Sequence, residues 1–104
     1  MNERKTIFIS GGASGIGRAI ATLFGQRGWF VGIGDIDQPG MRETENAIGH
    51  GFVYSHRLDV RDRGAWDEAL EALAIAAGGR IDAVVNNAGI PLGGGLVENS
   101  VDEI

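Results

Sequence analysis

Apolar positions along the chain follow two spacings, one typical of buried strands and the other typical of helices. Four short apolar runs predict strands, since a strand covered on both faces is apolar at nearly every position; they cover residues 5–10, 29–33, 52–58 and 81–85. Between the runs, apolar residues recur every three or four positions, which predicts amphipathic helices. These helices begin at Ile16, Met41 and Arg63 and end before Gly28, Gly49 and Gly78. The resulting βαβαβαβ order is typical of a parallel sheet with right-handed crossovers.

The connection between the first strand and the first helix is the most distinctive segment. Gly11, Gly15 and Gly17 form a G-x-x-x-G-x-G spacing there, with Ser14 and Ile16 in the same turn. The first N–H groups of a helix lack internal partners, and the helix dipole favours negative charge beside them. Glycines let phosphate oxygens approach the backbone closely. Strand, turn and helix together therefore predict a diphosphate-binding site.

An acidic residue follows this turn at the distance expected for a dinucleotide site. Asp35 lies 18 residues beyond Gly17, at the predicted carboxyl end of the second strand. A carboxylate there accepts hydrogen bonds from the adenosine ribose and repels the 2′-phosphate of NADP. Asp35 is followed by Ile36 rather than by a basic residue, and Ser14 is uncharged, so we expect NAD to be preferred over NADP. The alternative is that Asp35 only caps a turn, as we expect for Asp37.

Composition and charge exclude several other function classes. The chain has 104 residues, which we interpret as one domain, and its formal net charge of -5 disfavours nucleic-acid binding. It contains no cysteine, and neither His50 nor His56 has partners at metal-ligand spacing, so no metal site is expected. No apolar run approaches the roughly 20 residues of a membrane span. We therefore expect a cytoplasmic protein with no membrane partner.

Three segments together resemble the short-chain dehydrogenase/reductase family. Residues 10–17 are similar to its cofactor motif, with Ser10 where threonine is usual. Asp59 and Val60 look like the family's Asp-Val pair, which contacts the adenine. The run 86–89 resembles its Asn-Asn-Ala-Gly, which supports the central sheet and lines the cofactor cleft; by this resemblance we place Asn86, Ala88 and Gly89 on the nicotinamide side. The resemblance implies hydride transfer between NAD and a small alcohol or ketone.

The predicted architecture is α/β, a three-layer Rossmann-type fold. We expect four parallel strands in the order 3-2-1-4, helices on both faces and truncation before a fifth strand. Gly11, Asp35, Asp59 and Asn86 would all lie at the carboxyl ends of strands, where open parallel sheets bind ligands. The cofactor would straddle the switch between the first and fourth strands. Residues 1–104 then form a partial NAD-binding domain.

The family's catalytic residues have no counterpart in this sequence. Its chemistry needs a tyrosine and a lysine four residues later, where the lysine lowers the pKa of the tyrosine. The single lysine, Lys5, precedes the single tyrosine, Tyr54. We therefore assign no catalytic residue and expect this chain alone to be inactive.

Two explanations stay open for the missing half. The chain could be a piece of a longer enzyme, which is favoured by a capping-box pattern at 100–103 that predicts an unfinished helix, and by an apolar fourth strand left at a sheet edge. Alternatively, it is a non-catalytic dinucleotide-binding or dimerisation module that buries this edge by strand addition to a second copy. We expect a homo-oligomer. A methyltransferase would also use a glycine loop and an acid on the second strand, but Asp59-Val60 and the segment 86–89 argue against it.

Overall fold

A computed structural model describes residues 4–87, 91–92, 95–96 and 100–103. Their strands and helices alternate along the chain up to the fourth strand, as the apolar pattern predicts. In chain order, the elements are β1 (Thr6–Ser10), α1 (Gly15–Gln26), β2 (Phe30–Asp35), α2 (Gln38–Ile48), β3 (Val53–Arg57), α3 (Arg63–Ala76), β4 (Ala83–Asn86), β5 (Pro91–Leu92), β6 (Gly95–Leu96) and β7 (Ser100–Glu103).

The main sheet has the strand order β3-β2-β1-β4-β7. The first four strands are parallel, which confirms the predicted order 3-2-1-4. Ser10 at the end of β1 lies opposite Gly34 on one side and Asn86 on the other. The carboxyl ends of β1, β2 and β4 are therefore level, and the strand order changes direction at β1.

Side chains of β1 divide between two apolar layers, because successive residues of a strand point to opposite faces. Ile7 and Ile9 belong to a core that also contains buried residues of α1 and α2. Phe8 points to the other face and packs with Leu73 of α3. Helices thus cover both faces of the sheet, as predicted.

Small residues let α1 pack closely. Its buried positions are Gly17, Ala21 and Gly25, spaced four residues apart on one face. A Cβ atom on Gly25 would come within 2.8 Å of Ile48 on α2. This close packing holds the carboxyl-terminal part of α1 against α2.

The last described segment differs from the prediction. Ser100–Glu103 is not the start of a helix but the strand β7, which pairs antiparallel with β4. A single helical turn is costly to nucleate, whereas the edge of β4 offers unpaired backbone groups along its length. The edge that we expected to be exposed is therefore covered by β7. Within the predicted loop 90–99, the two short strands β5 and β6 pair with each other.

Candidate functional site

The glycine turn after β1 is bonded to the neighbouring strand. Gly11 has a positive φ of 70° and donates its N–H to the carbonyl oxygen of Gly34 at 2.8 Å. Gly15 also has a positive φ, 57°, and a Cβ atom built there would meet nothing within 4 Å. The turn is thus held firmly at its start, while the space beside Gly15 is open.

Gly17 brings the helix against the turn. A Cβ atom at this position would collide with the carbonyl oxygen of Gly11 and lie 2.9 Å from Nδ2 of Asn87. Only a residue without a side chain permits this approach. The spacing of the glycines therefore has a direct steric cause, and it sets the position of the first turn of α1.

The N-terminus of α1 is open to an anion. Ser14 is the N-cap residue, but its side chain makes no capping hydrogen bond. Ser14, Gly15 and Ile16 are exposed, and the Ile16 side chain is 66% exposed. Because the first N–H groups of a helix have no partners within the helix, these donors face the solvent together with the positive end of the helix dipole.

Asp35 connects the glycine turn to the end of β2. Its Oδ2 accepts the N–H of Ala13 at 3.1 Å, and its Oδ1 accepts the N–H of Asp37 at 3.0 Å. Asp35 therefore does bond to turn residues, as the alternative that it caps a turn requires. Each carboxylate oxygen can accept a second hydrogen bond, and Asp35 is only half-buried. The carboxylate thus has capacity left for the hydroxyl groups of a ligand.

The buried hydroxyl of Ser10 joins β1 to the segment after β4. It accepts the N–H of Asn87 at 3.0 Å and lies 3.2 Å from Oδ1 of Asn86. Nδ2 of Asn87 is 3.4 Å from the carbonyl oxygen of Gly11. Asn87 therefore contacts the glycine turn from the β4 side, and Asn86 contacts the end of β1 directly before it. Ala88 and Gly89, which we also predicted to belong to the site, lie outside the described residues.

Asp59 and Val60 follow β3 and are engaged with their own loop. Both carboxylate oxygens of Asp59 accept from the guanidinium of Arg61, at 3.1 Å each. These hydrogen bonds lower the pKa of Asp59 below its usual value. The carbonyl oxygen of Val60 accepts from the indole of Trp66 at 2.9 Å. An adenine amino group at Asp59 would therefore have to share the carboxylate with Arg61.

These residues lie around one edge of the sheet, where β1, β2 and β4 end. An uncapped helix N-terminus, a half-buried carboxylate and two asparagines meet at the change in strand order, which is where open parallel sheets bind ligands. A family model described as short chain dehydrogenase matches residues 5–104. The chain belongs to the short-chain dehydrogenase family.

Individual proteins and solved structures are also similar to this chain. The chain is 41% identical to the uncharacterized oxidoreductase YxbG of Bacillus subtilis over 97 residues, which cover 91% of this chain and 35% of that protein. Among solved structures, 3-ketoacyl-(acyl-carrier-protein) reductase from Brucella melitensis complexed with NADH has a TM-score of 0.76 and 33% identity, covering 84% of this chain and 35% of the other. Actinorhodin polyketide ketoreductase with NADPH has a TM-score of 0.77 and 27% identity, covering 86% and 34%. The chain thus spans about a third of the length of these short-chain dehydrogenase relatives.

Other kinds of site find no support in the part of the chain that the structure describes. There, no group of three histidine, cysteine, aspartate or glutamate side chains is placed to hold a metal ion. Nor does this part contain a helix that is long and apolar enough to cross a membrane.

Two residues that the sequence analysis did not single out contact the glycine turn. Arg18 bonds to the carbonyl oxygen of Ala13, and Thr44 donates to the carbonyl oxygen of Gly12 at 2.7 Å. Thr44 is fully buried on the inner face of α2, between Met41 and Ile48. A threonine within an apolar stripe was the available signal, since a buried hydroxyl needs a partner.

Proposed function

We propose that this chain binds NAD(H) and forms the cofactor-binding portion of a short-chain dehydrogenase/reductase that transfers a hydride between an alcohol or ketone and the cofactor. The observation that carries the proposal is the uncapped N-terminus of α1 at the change in strand order. Ser14 leaves the first backbone donors open, and a diphosphate needs such donors. Gly15 leaves room for its oxygens.

The position of Asp35 supports the proposal that the adenosine ribose binds next to the diphosphate. Its two oxygens are already oriented by the backbone N–H groups of Ala13 and Asp37, so the carboxylate is positioned before a ligand arrives. A 2′-phosphate beside it would meet negative charge, which favours NAD over NADP. One similar solved structure is complexed with NADH and another contains NADPH. The proposed preference for NAD over NADP therefore rests on Asp35 of this chain.

The two ends of the dinucleotide would extend in opposite directions from α1. We place the adenine near Asp59 and Val60, beside the side chain of Ile36, which is 61% exposed. The nicotinamide would lie near Asn86, Ala88 and Gly89. When bound, NAD supplies the hydride acceptor for an alcohol, and NADH supplies the donor for a ketone.

We infer that the described part of the chain supplies no acid/base pair for this chemistry. Tyr54 bonds to His56 on β3, and two strands separate β3 from β4, where the nicotinamide would lie. The ammonium of Lys5 lies 5.7 Å from the centre of the Trp29 ring, at the start of β1 and thus at the edge opposite the glycine turn. We therefore expect cofactor binding without turnover from these 104 residues.

Calorimetric titration with NAD, NADP and S-adenosylmethionine tests the proposal. We expect NAD to bind more tightly than NADP and S-adenosylmethionine not to bind. Tighter binding of NADP would overturn the role of Asp35, and binding of S-adenosylmethionine alone would overturn the dinucleotide assignment. If neither dinucleotide binds at millimolar concentration, the proposed function is wrong for this chain.

We also propose that the protein is cytoplasmic and forms a homo-oligomer. β3 is the outermost strand on its side of the sheet in the described residues, and a terminal strand can pair with a second copy. Sedimentation equilibrium tests this: a homo-oligomer is expected, and a monomer at all concentrations would refute it.

A further inference from the structure

We propose that Arg18 and Thr44 are positioning residues that orient the phosphate-binding backbone from behind the glycine turn. This inference rests on the proposed function, since it concerns how the same turn would bind a diphosphate. Both side chains bond to carbonyl oxygens of the turn and not to the backbone donors that a phosphate needs, so neither needs to touch the ligand. Their partners are the carbonyl oxygens of two consecutive turn residues, Gly12 and Ala13.

Arg18 is the centre of this contact set. Its Nε donates to Oγ1 of Thr44 at 3.0 Å. Its Nη2 is shared among the carbonyl oxygen of Ala13, the carbonyl oxygen of Gly40 at 3.2 Å and Oε1 of Glu43 at 3.1 Å. One guanidinium therefore ties the turn to the first turns of α2.

Thr44 completes the contact set from inside the core. Its side chain is fully buried, accepts from Arg18 and donates to the carbonyl oxygen of Gly12 at 2.7 Å. The backbones of the two segments also touch, because a Cβ atom on Gly40 would lie 2.8 Å from the carbonyl oxygen of Ala13. α2 thus packs directly against the turn.

The geometry of the peptide bond explains how these contacts orient the backbone N–H groups of the turn. In a trans peptide the C=O and the following N–H point in opposite directions, and the described residues contain no cis peptide bond. The Gly12 carbonyl points to Thr44, and the next N–H, that of Ala13, points to Asp35 as observed. By the same rule, the Ala13 carbonyl bonded to Arg18 turns the N–H of Ser14 away from α2. The Ser14 donor is therefore directed towards the open side.

Calorimetry with ADP and adenosine on the 104-residue chain separates this role from general stability. ADP needs the oriented donors, whereas adenosine needs only the nucleoside contacts. For Arg18→Gln we expect ADP to bind about tenfold more weakly and adenosine to change by less than about twofold, the size of one lost charge-assisted hydrogen bond. Arg27→Gln is the matched control, because Arg27 is exposed at the other end of α1.

Two further variants distinguish orientation from charge. Arg18→Lys keeps the charge but loses the planar fork, and Thr44→Val removes the hydroxyl without changing any charge. We expect both to weaken ADP binding, by about fivefold and threefold, with Thr44→Ser restoring the wild-type value. Full ADP affinity in Arg18→Lys and Thr44→Val would refute the positioning role. These two variants decide the question if Arg18→Gln does not fold.

The outcomes also separate this inference from the proposed function. A wild-type chain that binds neither ADP nor NAD contradicts the proposed function itself. A wild-type chain that binds both, with every variant within about twofold of it, contradicts only the role of Arg18 and Thr44.

Discussion

The three helices that follow β1, β2 and β3 begin at the same edge of the sheet, but their N-termini are capped differently. Asp37 caps α2 by accepting the N–H of Gly40 at 2.9 Å, and Asp62 caps α3 by accepting the N–H of Ala65 at 3.2 Å. Ser14 occupies the same position on α1 and makes no capping bond. The N-termini of α2 and α3 thus have a side-chain cap, and that of α1 has none.

This difference fits the proposed diphosphate site at the N-terminus of α1. A capping side chain stabilises a helix by about 1 kcal/mol, and a carboxylate also interacts favourably with the helix dipole. At α1, a carboxylate would occupy the donors and repel a phosphate. The uncapped Ser14 therefore fits a terminus that a ligand completes, whereas α2 and α3 need none.

The largest effect is expected at Gly15. Gly15→Val places a side chain in the open space where the diphosphate would lie, and we expect NAD affinity to fall by about a hundredfold or more, the equivalent of two lost charge-assisted hydrogen bonds. Gly78→Val is the matched control, since Gly78 also has a positive φ, 91°, and open space around its Cβ position. Both variants place a β-branched residue at a positive φ with open space around it, so calorimetry on the folded proteins tests whether the loss of binding is specific to Gly15. Unchanged NAD affinity in Gly15→Val would contradict the site.

Ser14→Asp converts the open terminus into a capped one. We expect NAD affinity to fall about thirtyfold, because the new carboxylate competes for the donors and repels the diphosphate. The same change should stabilise the free protein by about 0.5–1 kcal/mol in thermal unfolding. Asp62→Ala removes the cap of α3 and should lower stability while leaving NAD affinity intact. Equal losses of affinity in both variants would show that the termini do not differ in function.

Asp35→Asn tests the carboxylate at the end of β2. We expect NAD to bind about tenfold more weakly and the preference over NADP to shrink, because the charge that repels a 2′-phosphate is gone. Asp37→Asn changes a neighbouring carboxylate that caps α2 and should leave the ratio of the two affinities unchanged. An unaltered ratio in Asp35→Asn would contradict the basis for cofactor preference.

The smallest effect concerns Asp59 and its pairing with Arg61. Arg61→Gln removes the guanidinium hydrogen bonds that lower the pKa of Asp59 but keeps the backbone N–H of residue 61 that donates to Oδ1, so that pKa should rise part of the way towards its ordinary value in an NMR titration. Because the folded-state pKa is depressed, any stability from the pair is present above the unfolded pKa and is lost as the pH falls through the lowered value. Arg63→Gln, a change on the exposed start of α3, is the control. An unchanged Asp59 titration would show that the pair does not persist in solution.

The order of helices and strands along the chain and the glycine turn followed from the sequence because each depends on local signals. Apolar periodicity identified β1 to β4 and the three helices. Glycine is required at position 17 because a side chain there would collide with Gly11 in the same turn. The same local signals misassigned Ser100–Glu103. A capping-box pattern there is overruled by backbone pairing with β4, a partner far away in sequence.

Contacts between distant segments were decided only by the tertiary structure. No local pattern shows that Thr44 bonds to Gly12, that Arg18 holds the carbonyl of Ala13, or that Asp35 accepts the N–H of Ala13. The sequence by itself predicted a diphosphate site at the first strand–helix connection, because glycine spacing is a local pattern, whereas the missing cap at Ser14 was found only in the structure. The direction in which the backbone donors there point depends on side chains from α2 and β2, and only packing of the whole sheet brings those side chains to the turn.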